Sequence, residues 1–329
     1  MSPYARFFQE LPGLRVAVVG DLMLDTYFFG QVDRISPEAP VPVVTQLHQE
    51  ERIGGAGNVA LNLRSLGASV QLISLIGADQ SAQILQTLLQ QAGIGTDLLW
   101  VDEHRPTTRK TRVLDRNKQL LRLDQESTKE AAETLQKDWI KQIESHLKNE
   151  QPQVLVFEDY NKGVLSPYLI QALIGICKDL NIVTAVDPKF ENFFAYRGVD
   201  LFKPNWREVT EALQFQAAPD FDKLKEVHLS LYKQLAHAVS LITLSERGVF
   251  YQQGDRAEWL PGRPREVVDV SGAGDTVIAV AAAAYAITKD PTCMAQLANL
   301  AGGLVCEQVG TSPIELSVLQ TASAALGWI

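Results

Sequence analysis

Along the chain, short β-branched or leucine-rich runs alternate with longer segments of helical period. Apolar runs bounded by turn signals predict buried strands, and apolar residues recurring every three to four positions predict helices. LRVAVVGD (14–21) predicts a buried strand running into a loop at Gly20 and Asp21. GNVALNLRSLGA (57–68) predicts a helix, and VQLISLIG (70–77) the strand after it. SAQILQTLLQQAG (81–93) predicts a helix stopped by Gly93. QVLVFED (153–159) reads as a strand, PYLIQALIGICKDLN (167–181) as a helix and IVTAVDP (182–188) as a strand. DLFKPN (200–205) reads as a short strand or turn, and VSLITLSERGVFYQQ (239–253) as two strands around a tight turn. Such alternation packs a mostly parallel central sheet between helices on both faces, an α/β architecture.

Two stretches break the alternation. Residues 27–51 hold apolar and aromatic side chains and three prolines, Pro37, Pro40 and Pro42, with no helical period. Residues 107–124, TTRKTRVLDRNKQLLRLD, alternate polar and apolar positions and carry six Lys or Arg. Their DRN (115–117) predicts a hairpin turn. The two stretches are expected to form a small antiparallel sheet, inserted into a single domain over 1–329 and lying over its substrate end as a cationic lid. Two surface hairpins with solvated charges are the plainer alternative.

Composition narrows the function classes. With 329 residues, 46% of them hydrophobic, the chain can bury a large core. A formal net charge of −9 argues against nucleic acid or an anionic membrane as partner. Cys177, Cys293 and Cys306 show no metal spacing and no paired framework, so buried thiols in a reducing compartment are expected. The N-terminus lacks a long apolar run, and the most apolar long segment, VIAVAAAAYAI (277–287), is too short to span a bilayer. A soluble cytoplasmic protein is the expectation.

The candidate chemistry starts at VVDVSGAGDTV (267–277). A Gly-x-Gly turn lets backbone N–H groups converge, and a helix beginning near Asp275 adds unpaired donors and a positive dipole end, an arrangement that binds phosphate. Asp275 then stands where a general base for phosphoryl transfer belongs, with the N–H groups of Gly272, Ala273 and Gly274 facing the transferring group. The same residues also suit a simple helix start with Asp275 as N-cap. In ERIGGAGNVALNLRSLGA (51–68), Gly54, Gly55 and Gly57 allow close backbone approach, and Asn58 both donates and accepts, as sugar hydroxyls require. Asp21 and Asp25 are further hydroxyl partners.

GGAGNVALNLRSLGA (54–68) and DVSGAGDT (269–276) resemble, in order and spacing, the two signatures of the PfkB/ribokinase family of sugar kinases. Asn205 to Glu208, NWRE, resembles that family's N-x-x-E element, which implies that Asn205 and Glu208 position Mg²⁺ through water. GDLMLDTYFFGQVDRISPEAPVPVV (20–44), DYNKG (159–163) and VDPK (186–189) resemble the subgroup of D-glycero-β-D-manno-heptose 7-phosphate kinases. The resemblance implies a ribokinase-like fold, ATP and Mg²⁺ as cofactors, and transfer to the anomeric hydroxyl of a heptose 7-phosphate. It further implies a nucleotide site with Ser245 and Gly248 in LSERG and Asn299 near adenine. Phosphate on the substrate requires cations, for which Arg109, Lys110, Arg112, Lys162 and Lys189 are candidates. A monovalent cation beside Asp269 is left open, a homodimer through the lid is expected, and a separate nucleotidyltransferase is the expected pathway partner. Glu158 departs from the subgroup, where a small Ser is expected, and adds a negative charge near the expected phosphate site. A PfkB kinase for another sugar or nucleoside, and a non-catalytic sugar-phosphate sensor, are the competing functions.

Overall fold

The computed structural model describes residues 1–116, 118–263, 267–308 and 310–329. The turn expected at 115–117 ends at Asn117, outside the described residues. Helix α1 (Pro3–Glu10), capped by the Ser2 hydroxyl, leads into β1 (Arg15–Gly20). The chain then leaves for the long hairpin of β2 (Leu22–Ile35) and β3 (Pro42–Gly55), and returns through α2 (Ala56–Ser65) into β4 (Ser69–Gly77). After α3 (Gln80–Gln91) and β5 (Gly95–Asp102), a second excursion forms β6 (Thr108–Asp115) and β7 (Lys118–Gln125). Next come α4 (Glu133–Glu150), β8 (Val154–Glu158), α5 (Pro167–Asp179), β9 (Val183–Asp187) and the short β10 (Leu201–Phe202). Helices α6 (Trp206–Ala212) and α7 (Phe221–Leu235) precede β11 (Val239–Thr243) and the hairpin of β12 (Val249–Gln253) and β13 (Arg256–Leu260). Helices α8 (Ala273–Thr288), α9 (Pro291–Val305) and α10 (Leu316–Ala325) complete the order.

The central sheet runs β13-β12-β11-β10-β9-β8-β1-β4-β5, parallel from β11 to β5, with β12 and β13 antiparallel at one edge. The two-residue alternation of a strand supplies both faces. Val16 and Val18 of β1 pack into the core under α1, α2, α8 and α9, while Ala17 and Val19 pack into the core under α4, α5 and α7. This is why β1 reads as an unbroken apolar run. Among the described residues no helix is long and apolar enough to cross a membrane. Cys177 and Cys293 are buried, and Cys306 is half-buried.

The lid is a second sheet of order β3-β2-β6-β7. Its outer pairs are antiparallel, but β2 and β6 run parallel, from Met23 beside Thr108 to Gly30 beside Asp115. The expected antiparallel lid is therefore corrected to a mixed one. Both excursions leave the central sheet at its carboxyl edge, after β1 and after β5, so their first strands travel in the same direction. The first hairpin also spans Leu22 to Gly55 rather than 27–51. The same carboxyl edge carries Asp21, Glu158, Asp159, Asp187 and Lys203, and it is where α/β sheets bind ligands.

Candidate active site

Gly272 is the cap of α8, in left-handed backbone at φ 76°, and no side chain among the described residues caps the helix. A Cβ here would lie 2.7 Å from Asn58 Nδ2, so glycine is demanded by conformation and by space. The uncapped first turn leaves N–H groups and a positive dipole end facing outward beside exposed Gly274. The Ala273 N–H is directed instead to Val270 O at 3.3 Å. The helix begins at Ala273, so Asp275 is its third residue and not its N-cap. The turn before it is pinned by Asp269, whose carboxylate accepts from the N–H groups of Ser271 and Gly310, each at 2.9 Å.

Asp275 is buried and held by two donors. Asn58 Nδ2 donates to its Oδ2 at 2.6 Å, and the Tyr160 phenol donates to its Oδ1 at 2.9 Å. Burial pushes the Asp275 carboxyl up to about 6, against the pull of those two hydrogen bonds. One turn along α2, Asn62 Oδ1 accepts from the Thr276 hydroxyl at 2.9 Å and from Ile314 N at 3.0 Å. Two adjacent buried polar pairs thus fasten α2 to α8, joining the two glycine-rich segments that lie far apart in sequence. The Asn58 Oδ1 atom is buried without a hydrogen-bond partner among the described residues.

Glu158, Asp187 and Asp275 bring buried carboxylate oxygens within 4.8 Å of one another. Such oxygens suit a hard cation, but Lys203 already places its buried ammonium 2.8 Å from Asp187 Oδ2. Neither oxygen of Glu158 has a partner among the described residues. Burial, with Asp187 and Asp275 adding to it, drives this carboxyl well above the usual range. Lys189 pairs with Glu208 at 2.5 Å. Burial opposes its charge, and the carboxylates of Asp187 and Glu208 outweigh burial to keep the ammonium. Asn205 and Glu208 form a reciprocal capping box at the start of α6, with bonds of 2.8 and 2.9 Å.

Other expected site residues are dispersed by their contacts. The Asp21 carboxylate accepts backbone N–H bonds from Tyr160, Lys162 and Val164 at 2.7, 3.1 and 3.2 Å, so it anchors the DYNKG loop. Burial, then Asp159, pushes it up to about 6. Asp25 is paired with Arg112 at 2.6 Å; a Cβ at Gly54 would meet Asp25 Oδ2 at 2.5 Å. Gly55 takes φ 59° at the junction of β3 and α2. Lys162 Nζ is paired with Glu126 at 2.7 Å. Lys110 lies over the Tyr160 ring, 5.1 Å from its centroid, and Lys189 lies 5.4 Å from the same centroid. Arg109 bonds Thr26 and Glu51 on the opposite lid face, as strand alternation from Lys110 requires.

Ser245 and Gly248 lie in the turn before β12, and a Cβ at Gly248 would strike Leu260 O. Asn299 donates to Pro261 O at 3.0 Å, so Gly248 and Asn299 meet around segment 260–262, on the far half of the sheet, and the Gly248 N–H donates to Ser245 O at 3.0 Å. Tyr160, Asp187, Lys203 and the Asn62–Thr276 pair were not among the expected site residues. The available signal was position, since Asp187 and Lys203 directly end β9 and follow β10.

The family model described as pfkB family carbohydrate kinase matches residues 14–317. The bifunctional protein HldE of Psychromonas ingrahamii is 42% identical over 314 residues, covering 95% of this chain and 64% of that protein. The bifunctional protein HldE of Histophilus somni is 40% identical over 309 residues, covering 94% of this chain and 63% of that protein. The chain thus spans less than two thirds of the length of these relatives. Among solved structures, phosphofructokinase-2 from Escherichia coli in complex with potassium superposes with a TM-score of 0.76. That match covers 95% of this chain and 99% of the other at 17% identity, a shared fold.

Proposed function

The chain belongs to the pfkB family of carbohydrate kinases, and from that premise we propose that it transfers the γ-phosphoryl group of ATP to the anomeric hydroxyl of D-glycero-β-D-manno-heptose 7-phosphate. The observation that carries the reading is Asp275, a buried carboxylate oriented by two donors in the uncapped first turn of α8. The sugar assignment draws on DYNKG, VDPK and the 20–44 segment, and on similarity to the HldE proteins along most of the chain.

A sugar hydroxyl is a weak nucleophile at neutral pH. Asp275, ionised above about 6, accepts its proton as the bond to phosphorus forms. N–H groups at the start of α8 face charge developing on the transferring oxygens. Lys110 and Lys189, 5.1 and 5.4 Å from the Tyr160 ring centroid, present cations toward an anionic substrate. Bound Mg²⁺ supplies positive charge across the phosphate oxygens of ATP. Asn205 and Glu208 suit it through water: both are hard oxygen donors, and the capping box leaves lone pairs on each side-chain oxygen. Asp269 keeps its charge because the N–H groups of Ser271 and Gly310 outweigh the effect of its burial, which suits a monovalent cation nearby. ATP then spans from α8 to the 260–262 segment, with Ser245, Gly248 and Asn299 at the nucleoside end.

In this reading residues 1–329 act as one kinase domain, and the bisphosphate it forms is the substrate of a nucleotidyltransferase step. Leu121 and Leu123 are exposed on the lid face opposite Lys110, which favours a homodimer through the lids; a monomeric mass in solution scattering would remove it. The function is tested by ADP release with ATP, Mg²⁺ and a panel of sugar phosphates. Turnover with the heptose 7-phosphate is expected. Turnover with a different sugar alone discards the heptose and keeps the kinase, and tight sugar-phosphate binding without turnover refutes both.

A further inference from the structure

Tyr160 touches both the base and the lid. Its backbone is immobilised, since its own N–H and those of Lys162 and Val164 all end on the Asp21 carboxylate. Asn161, at φ 54°, adds an N–H bond to Asp159 Oδ1 at 2.8 Å. From this fixed loop the phenol reaches Asp275 Oδ1 at 2.9 Å. Two ammonium groups lie against its ring, Lys110 from lid strand β6 and Lys189 from the segment after β9. Cations are attracted to aromatic faces, so the lid has a seat on the residue that holds the base.

The geometry of the carboxylate shows why a second donor matters. Asn58 fixes Oδ2 alone, which leaves the carboxylate plane free to turn about that bond. A donor on Oδ1 sets the plane, and proton transfer depends on such alignment. The other titratable groups facing Asp275 are Glu158 from β8, Asp187 from β9 and Lys203 after β10. Burial, then the charge of Asp275, keeps the phenol protonated, so it stays a donor.

We propose that Tyr160 is a positioning residue for phosphoryl transfer, setting the plane of the Asp275 carboxylate through its phenol and carrying the lid's position to that carboxylate through Lys110. This rests on Asp275 being the base. The test compares wild type, Tyr160→Phe and Tyr160→Leu. The Asp275 carboxyl is titrated by carbon NMR in substrate-free protein labelled at aspartate, with Asp275→Asn assigning the resonance. Removing the phenol donor raises the midpoint by about one pH unit and lowers kcat roughly tenfold, with the sugar-phosphate KM changed less than about twofold. Tyr160→Leu also removes the ring, and the sugar-phosphate KM rises by roughly three- to fivefold. If that variant does not fold, Lys110→Met removes the contact from the lid side. An unmoved Asp275 midpoint in Tyr160→Phe overturns the positioning role, and a KM identical in the Phe and Leu variants overturns the link to the lid. If wild type turns over no heptose phosphate while the midpoint still moves, the substrate assignment fails and the positioning role stands.

Discussion

Asp275→Asn separates the chemistry of the site from its stability. The Asp275 carboxyl rises from 3.8 to about 6 on folding, chiefly through burial. At about 1.36 kcal/mol per decade of proton affinity, the ionised side chain destabilises the fold by about 3 kcal/mol above pH 6. Asparagine removes that charge. It offers one acceptor to two donors, but the Tyr160 phenol can turn and accept from the new amide, while Asn58 Nδ2 cannot. The remaining mismatch is worth about 1 kcal/mol. The variant is therefore expected to be more stable than wild type by about 2 kcal/mol at pH 7.5. The sign with pH follows from the proton count. Between 3.8 and about 6 the folded protein holds a proton that the unfolded chain has lost, so the wild type loses stability as pH rises through that window. At pH 4.5 the advantage of asparagine shrinks to near zero. Catalysis moves the other way, since losing a general base lowers kcat by roughly 10²- to 10⁴-fold. Urea unfolding at both pH values, with ADP release, measures all three quantities. A variant less stable than wild type at pH 7.5, or active within tenfold of it, would refute the assignment of a buried, charge-burdened base.

Lys203→Met leaves Asp187 as an unpaired buried carboxylate and is expected to destabilise by roughly 3–5 kcal/mol in urea unfolding. Gly272→Ala forces a Cβ into left-handed backbone and against Asn58 Nδ2. Its strain is about 1–2 kcal/mol, and kcat should fall further than a circular-dichroism melt reveals, because Asn58 is displaced from Asp275. His237, bonded to Ser240, is pushed down to about 3 by burial and by His228. The unfolded chain takes up this proton near 6.5, so stability falls with pH below that value, by about 1.4 kcal/mol per pH unit, and His237→Gln should flatten that slope in urea unfolding between pH 7 and 5. Glu158→Gln keeps the shape and charge of a neutral carboxyl, so ADP release should stay within about threefold of wild type, whereas a charged Glu158 would make the variant markedly more stable.

The central sheet was legible because burial on both faces writes strands such as β1, β8 and β11 as unbroken apolar runs between turn residues. The lid was legible as two non-helical excursions, but the parallel pairing of β2 with β6 was not, since strand direction depends on which sheet edge each excursion leaves. Asp275 and Asn58 stood out through their glycine neighbours, while the 2.6 Å bond between them is a contact between α2 and α8 that no local pattern contains. The lid cations were named together, yet alternation sends Arg109 to the opposite face from Lys110 and Arg112. Asp21 is expected as a hydroxyl partner, and the fold also turns its oxygens to three backbone N–H groups, because a loop leaving β8 needs a fixed acceptor beside β1.

Glu158 shows how burial changes the meaning of a residue. As sequence, it adds a negative charge beside a phosphate site. In the fold it ends β8 opposite Asp187 of β9, with Asp275 close by and its own oxygens unpartnered among the described residues. Three ionised carboxylates at this spacing repel strongly in a low-dielectric interior. Lys203 offsets one of them through a direct contact, and two donors support a second. Glu158 has neither kind of support, and burial raises its proton affinity well above the usual carboxylate range. Glu158 thus brings a buried carboxyl oxygen within 4.8 Å of the Asp275 carboxylate, while Asp275, held by two donors, is raised only to about 6.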